Sequence, residues 1–165
     1  MKILYVITGL GGGGAEKVVA DLADQMTYKG HQVKIAYLKG NVVVRPKNDS
    51  IELIYIGLES LKNYKKAYKK YKIIVEQYQP DIVHSHMVHA NIFTRIMRHF
   101  CKIPKLVCTA HNSNEGGVLR MLAYRYTNNL SDINTNVSKE ATEAFQKKKA
   151  FDASAITIYN GIDLT

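Results

Sequence analysis

The chain is predicted to fold as a doubly wound parallel α/β sheet. Three observations support this: apolar β-prone runs alternate with helical patterns almost from end to end, a glycine cluster separates the first run from the first helix, and no internal repeat or low-complexity linker interrupts the series. The strand candidates are Ile3 to Ile7, Val33 to Leu38, Glu52 to Ile56, Asp81 to Ser85, Lys105 to Thr109, Asp132 to Asn136 and Ala155 to Tyr159. Seven such strands make a full Rossmann-like domain, and we expect the order 3-2-1-4-5-6-7.

The connecting helices are marked by their ends. The first is expected from about Ala15 to Lys29, with Val18, Val19, Leu22, Ala23 and Met26 on one stripe and Gly30 as its stop. A second spans about Leu61 to Gln79 and halts at Pro80. Others cover about Ala90 to Phe100, Val118 to Asn129 and Ser138 to Lys148. In the last, Ser138 is the N-cap, with Glu140 and Glu143 early and Lys147 to Lys149 late, matching the helix dipole.

Composition narrows the class. At 165 residues the chain suits one domain with a sizeable core. Its two cysteines, Cys101 and Cys108, form neither a disulfide framework nor a zinc pattern, which points to reduced thiols in a cytoplasmic setting. The apolar run after Met1 stops at Ile7, too short for a signal peptide or for the about 20 residues of a spanning helix. Any membrane contact is therefore expected to be peripheral, at the inner face. The formal charge of +9 favours anionic partners, and Glu59 to Tyr78 concentrates six lysines against two glutamates.

In open parallel sheets, ligands bind beyond the carboxyl ends of the strands where the strand order reverses, so candidate residues are sought just after strands. The segment Thr8-Gly-Leu-Gly-Gly-Gly-Gly-Ala-Glu16 joins the first strand to the first helix. Glycines permit positive φ and let backbone amides approach a ligand, and the helix end offers unpaired N–H groups to a phosphate. The same loop matches G-x-G-x-x-G through Gly9, Gly11 and Gly14, which raises a dinucleotide-binding alternative. The acidic ribose partner expected after the second strand is missing from Leu38-Lys39-Gly40-Asn41, although Lys39 suits a 2′-phosphate of NADP.

Asp81-Ile-Val-His-Ser-His86 places His84 and His86 on one face of a strand, with His89 beyond. A zinc pair, polar cleft lining and plain packing are all open to them, but no carboxylate or cysteine lies nearby in sequence to complete a metal set. Thr109-Ala-His-Asn112 follows the fifth strand, where His111 can bond a sugar hydroxyl or offer a dipole to developing charge. No Asp-x-Asp pair occurs, so we expect no metal and no cofactor. Tyr64, Tyr68, Tyr71 and Tyr78 recur at helical spacing among the lysines. They suit an anionic lipid surface through Lys65, Lys66, Lys69 and Lys70, or simple packing on the sheet. Stacking on single-stranded nucleic acid fits the pattern less well, and no nucleic-acid partner is expected.

Five motifs in order resemble family-4 retaining glycosyltransferases of the GT-B fold: Gly13-Gly-Ala-Glu16, His84-x-His86, Thr109-Ala-His-Asn112, Val137-Ser138 and Tyr159-Asn-Gly-Ile-Asp163. The resemblance implies transfer of a sugar from a nucleotide-sugar to a hydroxyl of a carbohydrate or lipid-linked acceptor, in polysaccharide, lipopolysaccharide or glycolipid synthesis. It implies that Gly12, Gly13 and Gly14 lie against the donor diphosphate or sugar, and that His111 contacts the donor sugar near the reacting centre. Glu16 would lie on the acceptor side of the cleft, with His86 and Asn112 lining it. Residues 1–158 would form the amino-terminal domain, 159–165 with Asn160 and Asp163 the start of an interdomain linker, and a donor-binding domain would lie beyond. A fragment lacking that domain is not expected to catalyse transfer. A nonhydrolysing sugar-nucleotide epimerase shares this two-domain plan and is the other alternative.

Overall fold

The computed structural model describes residues 1–161. Its strands are β1 (Lys2–Ile7), β2 (Gln32–Tyr37), β3 (Glu52–Tyr55), β4 (Ile82–His86), β5 (Lys105–Ala110), β6 (Ile133–Asn136) and β7 (Ile156–Thr157). Its helices are α1 (Gly14–Tyr28), α2 (Tyr64–Tyr78), α3 (Val88–Met97), α4 (Val118–Thr127) and α5 (Lys139–Lys147). Single 3₁₀ turns precede α2 and follow α4. The seven strands form one sheet in the order β3-β2-β1-β4-β5-β6-β7, and every neighbouring pair is parallel. Fold class and strand order therefore agree with expectation.

Strand β1 shows why the sheet must be covered on both sides. Leu4 and Val6 point into one cluster with Ala36, Val83, Leu106, Tyr71 and Val75, while Ile3, Tyr5 and Ile7 point into another with Val19, Ala23, Val33 and Ile35. Each fully buried aliphatic side chain contributes roughly 2 kcal/mol. A third cluster of Val88, Ala110, Met121, Tyr124, Phe145 and Phe151 joins α3, α4 and α5 to the end of β5. The covering is uneven. Helix α1 packs on the Ile3, Tyr5 and Ile7 face, and α2 and α3 pack on the other, beside α4 and α5. The α1 face continues over β4, β5 and β6 as His84, Thr109 and Thr135, linked by hydrogen bonds instead of a helix.

One open alternative is decided and one expectation is corrected. Tyr71 is 0% exposed and Tyr78 8%, so these rings pack on the sheet and cannot reach a lipid surface. Tyr78 donates its hydroxyl to the Ile3 carbonyl, and Tyr68 meets the edge of Phe100. The packing alternative holds for that stripe, and what stays at the surface is Leu61, Tyr64 and the lysines. Helix α3 starts two residues before its expected beginning, because Met87 adopts φ 76° and ψ 156° and turns the chain into the helix at once. Such a backbone is costly for a residue with a side chain and concentrates where a site demands it. As predicted, Ser138 caps α5 by accepting from Ala141 N–H.

Among the described residues, the core holds one whole cation. Arg95 is 0% exposed and donates to the Tyr124 carbonyl, the Thr127 hydroxyl and Asn134 Oδ1 at 3.2, 3.0 and 2.6 Å, all neutral groups. Its guanidinium also stacks on the Tyr124 ring at 5.1 Å. Charged hydrogen bonds exceed neutral ones in strength, and the side chain fills the space between α3, α4 and β6. Replacement of Arg95 by alanine is expected to lower stability by about 3 kcal/mol or more through lost bonds and a cavity. The urea midpoint measures this, and an unchanged value would show the guanidinium to be dispensable.

Candidate functional site

Sheet register sets the geometry. Ile7 is level with Tyr37 and with His86, and His86 is level with Thr109, so the chain leaves β1, β2, β4 and β5 along one rim. The strand order reverses between β1 and β4 there, the position where doubly wound sheets hold ligands. A cleft of about 740 Å³ opens at that rim. It is lined by Thr8, Gly13 and Gly14 after β1, Lys39 after β2, Met87 to His89 after β4, His111 and Asn112 after β5, and Asn160 after β7. Glu16, Glu115 and Arg120 add the remaining charges.

The glycine loop is exposed, and helix α1 begins inside it at Gly14. Gly13 is the N-cap with no side chain capping the first turn, which leaves α1 amides for a ligand. Positive φ is not what these glycines supply: Gly11 to Gly14 all lack it, which corrects that part of the expectation. A Cβ on Gly12 or Gly14 would meet nothing within 4 Å, so the folded chain itself tolerates a side chain at either position. Gly13 differs, because a Cβ there would collide with the Glu16 carboxylate folded back over the loop. Gly12 is close by in the same loop but does not line the cleft.

His111 stands across the cleft. Its Nε2 is 2.9 Å from His86 Nδ1, and its backbone N–H donates to Glu115 Oε1 at 2.7 Å. Burial lowers its pKa to about 4, so the ring is neutral at pH 7. His86 is 1% exposed and does not line the cleft, which corrects its expected place: it supports His111 from beneath. Burial, then His84 and His111, hold its pKa well below the usual value. His84 stacks on His86 with ring centroids 4.1 Å apart and bonds Thr109 Oγ1 at 2.7 Å. Burial first, then His111, lowers its pKa to about 4. The pair is thus packed and hydrogen-bonded, and among the described residues no group of three His, Cys, Asp or Glu side chains could hold a metal ion.

Several contributors were not legible in the sequence. Glu115 is a buried carboxylate that accepts from His111 N–H and the Tyr124 hydroxyl, and burial raises its pKa. It thereby ties the loop after β5 to α4. Asn91 bonds the Tyr124 hydroxyl, the Thr109 carbonyl and Ser85, so the buried face of α3 holds the same loop from behind. Asn136 donates to the Asn112 carbonyl. Thr8 accepts from Ala90 N–H and joins the end of β1 to the start of α3. Arg120 and Lys39 add to burial in lowering the pKa of His89, which places both cations at this rim. The only advance signal for Glu115 was its position in a polar, glycine-rich loop after a strand. Asp163 lies outside the described residues, as does the rest of the expected linker beyond Gly161.

Among solved structures, the chain matches HepE of Anabaena in complex with UDP at 19% identity and TM-score 0.71, over 99% of this chain and 45% of that one. It matches the lipopolysaccharide outer core galactosyltransferase WaaB at 14% identity and TM-score 0.78, over 100% and 47%. It also matches the UDP-GlcNAc 2-epimerase of Methanocaldococcus jannaschii at 12% identity and TM-score 0.67, over 97% and 46%. At these identities the likeness is one of fold, and the chain spans somewhat under half the length of each of those proteins. No curated protein sequence matches it. The family model for Glycosyltransferase Family 4 matches residues 12–165, which leaves out only residues 1–11 and contains all five ordered motifs, and the chain belongs to that family.

Proposed function

We propose that this domain is the amino-terminal, acceptor-side half of a retaining glycosyltransferase that moves a sugar from a nucleotide-sugar to an acceptor hydroxyl. The observation that carries the reading is the pairing, across one cleft, of Gly14, whose open space the fold does not use, with the neutral imidazole of His111 just after β5. The amides at Gly13 and Gly14 and the end of α1 receive the donor phosphates, with Lys39 and Arg120 adding positive charge. His111 directs a ring dipole at charge developing on the transferred sugar, the arrangement that stabilises such transition states. Glu16, Asn112 and Asn160 are available to hydroxyls of donor and acceptor. Charge on the leaving group is met by amides, a helix end and cations, since the chain offers no Asp-x-Asp pair for a nucleotide-bound divalent ion. No nucleophile is assigned.

The epimerase with this fold supplies the second reading, and family membership sets the dinucleotide reading aside. Lipid-linked acceptors fit the surface of α2 and the turn before it, where Leu61 is 85% and Tyr64 56% exposed beside Lys65, Lys66, Lys69 and Lys70. No described helix is long and apolar enough to cross a membrane, so such contact would be peripheral.

In a polypeptide that carries both halves, Gly14→Ala should leave stability unchanged or raised by up to about 1 kcal/mol, yet cut turnover at least about tenfold. Near-normal turnover would remove the phosphate role of the loop. His111→Ala should lower kcat by about two orders of magnitude with little change in acceptor KM, whereas a rise in KM alone would contradict the transition-state role. Conversion of the nucleotide-sugar without any acceptor would establish the epimerase reading. Neutralising Lys65, Lys66, Lys69 and Lys70 together should abolish sedimentation with anionic liposomes, and unchanged sedimentation would end the lipid proposal.

A further inference from the structure

Beneath His111 lies a buried polar atom that finds no partner. His86 uses Nδ1 in its 2.9 Å contact with His111 Nε2, and its own Nε2 is buried without a hydrogen bond. The neighbouring rings do not relieve it. His84 is stacked at 4.1 Å with its Nε2 given to Thr109, and Tyr5 lies tilted at 6.1 Å.

Both imidazoles are neutral at pH 7, so a hydrogen bond between them contains one proton. If His111 donated from Nε2, His86 Nδ1 would accept, and the His86 proton would sit on Nε2 as a buried N–H with no acceptor. Orphaned buried N–H groups are rare, because a donor removed from water without a partner loses its full hydration. If His86 donates from Nδ1, its Nε2 keeps only a bare lone pair, the milder defect of the two. His111 then accepts at Nε2 and must carry its own proton on Nδ1. That nitrogen is the one not committed to His86, on a residue that lines the cleft.

We infer that His86 is a positioning residue: it donates from Nδ1 to His111 Nε2 and holds His111 as the Nδ1–H tautomer. His111 thus meets its ligand as a hydrogen-bond donor to oxygen and has no lone pair with which to act as a base. The Glu115 bond to the His111 backbone and the level register of His86 with Thr109 fix the two rings at this separation. The inference deepens the cleft reading above and rests on it for the nature of the ligand, while the tautomer belongs to the ligand-free chain.

Long-range proton–nitrogen correlation spectra of the ¹⁵N-labelled chain at pH 7 distinguish protonated from bare ring nitrogens. Expected is His111 protonated at Nδ1 and bare at Nε2, with the same pattern for His86. His111 protonated at Nε2 overturns the inference. His86→Asn keeps an amide donor near the original Nδ1 position and should preserve the His111 pattern. His86→Leu removes the donor and should convert His111 to a mixture, with the Nε2–H form rising severalfold. An unchanged His111 pattern in a folded His86→Leu variant also overturns it. Should that variant fail to fold, the wild-type spectrum decides alone. An intact tautomer in a protein that neither binds nor turns over nucleotide-sugars would defeat the sugar-transfer reading and leave this one standing.

Discussion

The structure depends on one constraint: a parallel sheet buried on both faces, whose strands all end at the same rim. Strand β1 carries it most plainly, since five consecutive residues from Ile3 to Ile7 are buried and belong alternately to two cores. Parallel strands need crossovers, and crossovers return the chain to the same edge each time. The loops after β1, β2, β4, β5 and β7 therefore converge on a single cleft although up to 152 positions, from Thr8 to Asn160, separate them in sequence. Chemistry at the rim is assembled by topology, and each of these five strands contributes one short segment.

Beneath the rim, the two faces of the sheet differ in how they meet their polar groups. On the α3 side, Ser85, Asn91, Thr94, Tyr124 and Glu115 form a continuous buried network, and Arg95 extends it toward Asn134. Buried polar atoms are costly when unpaired, and here the pairing also fixes the loop that carries His111. On the opposite face, Thr135, Thr109 and His84 bond in line, with His86 stacked next in the series. The imidazole in the cleft is thus gripped through its backbone from one side of the sheet and through its ring from the other. That double support suits a group whose direction matters more than its mobility.

Electrostatics divide the surface in a similar way. The cleft joins two helix starts, α1 and α3, with Lys39 and Arg120, and its buried carboxylate Glu115 is occupied by hydrogen bonds. The lysines of α2 form a separate concentration on a helix whose inner stripe of Ala67, Tyr71, Val75 and Tyr78 is committed to the core. Net positive charge by itself favours anions in general, and these two locations separate a recessed group of cations from an exposed one.

The sequence by itself determined the class of fold, the seven strands to within two or three residues at each end, the Ser138 cap and the order of the motifs. All of these are local: alternation, helical spacing, glycine punctuation and capping chemistry act within one turn or one strand. It also identified His111, Asn112, Glu16 and the glycines as residues beyond strand ends, which the structure gathers at one rim apart from Gly12 just outside it. What only tertiary structure decided was partnership at long range. It buried His86 under His111, turned Tyr71 and Tyr78 inward, enclosed Arg95 among neutral acceptors and recruited Glu115 as a brace. Burial of a polar side chain is set by which distant segment packs against it, and sequence periodicity records the face a residue occupies without recording what lies opposite.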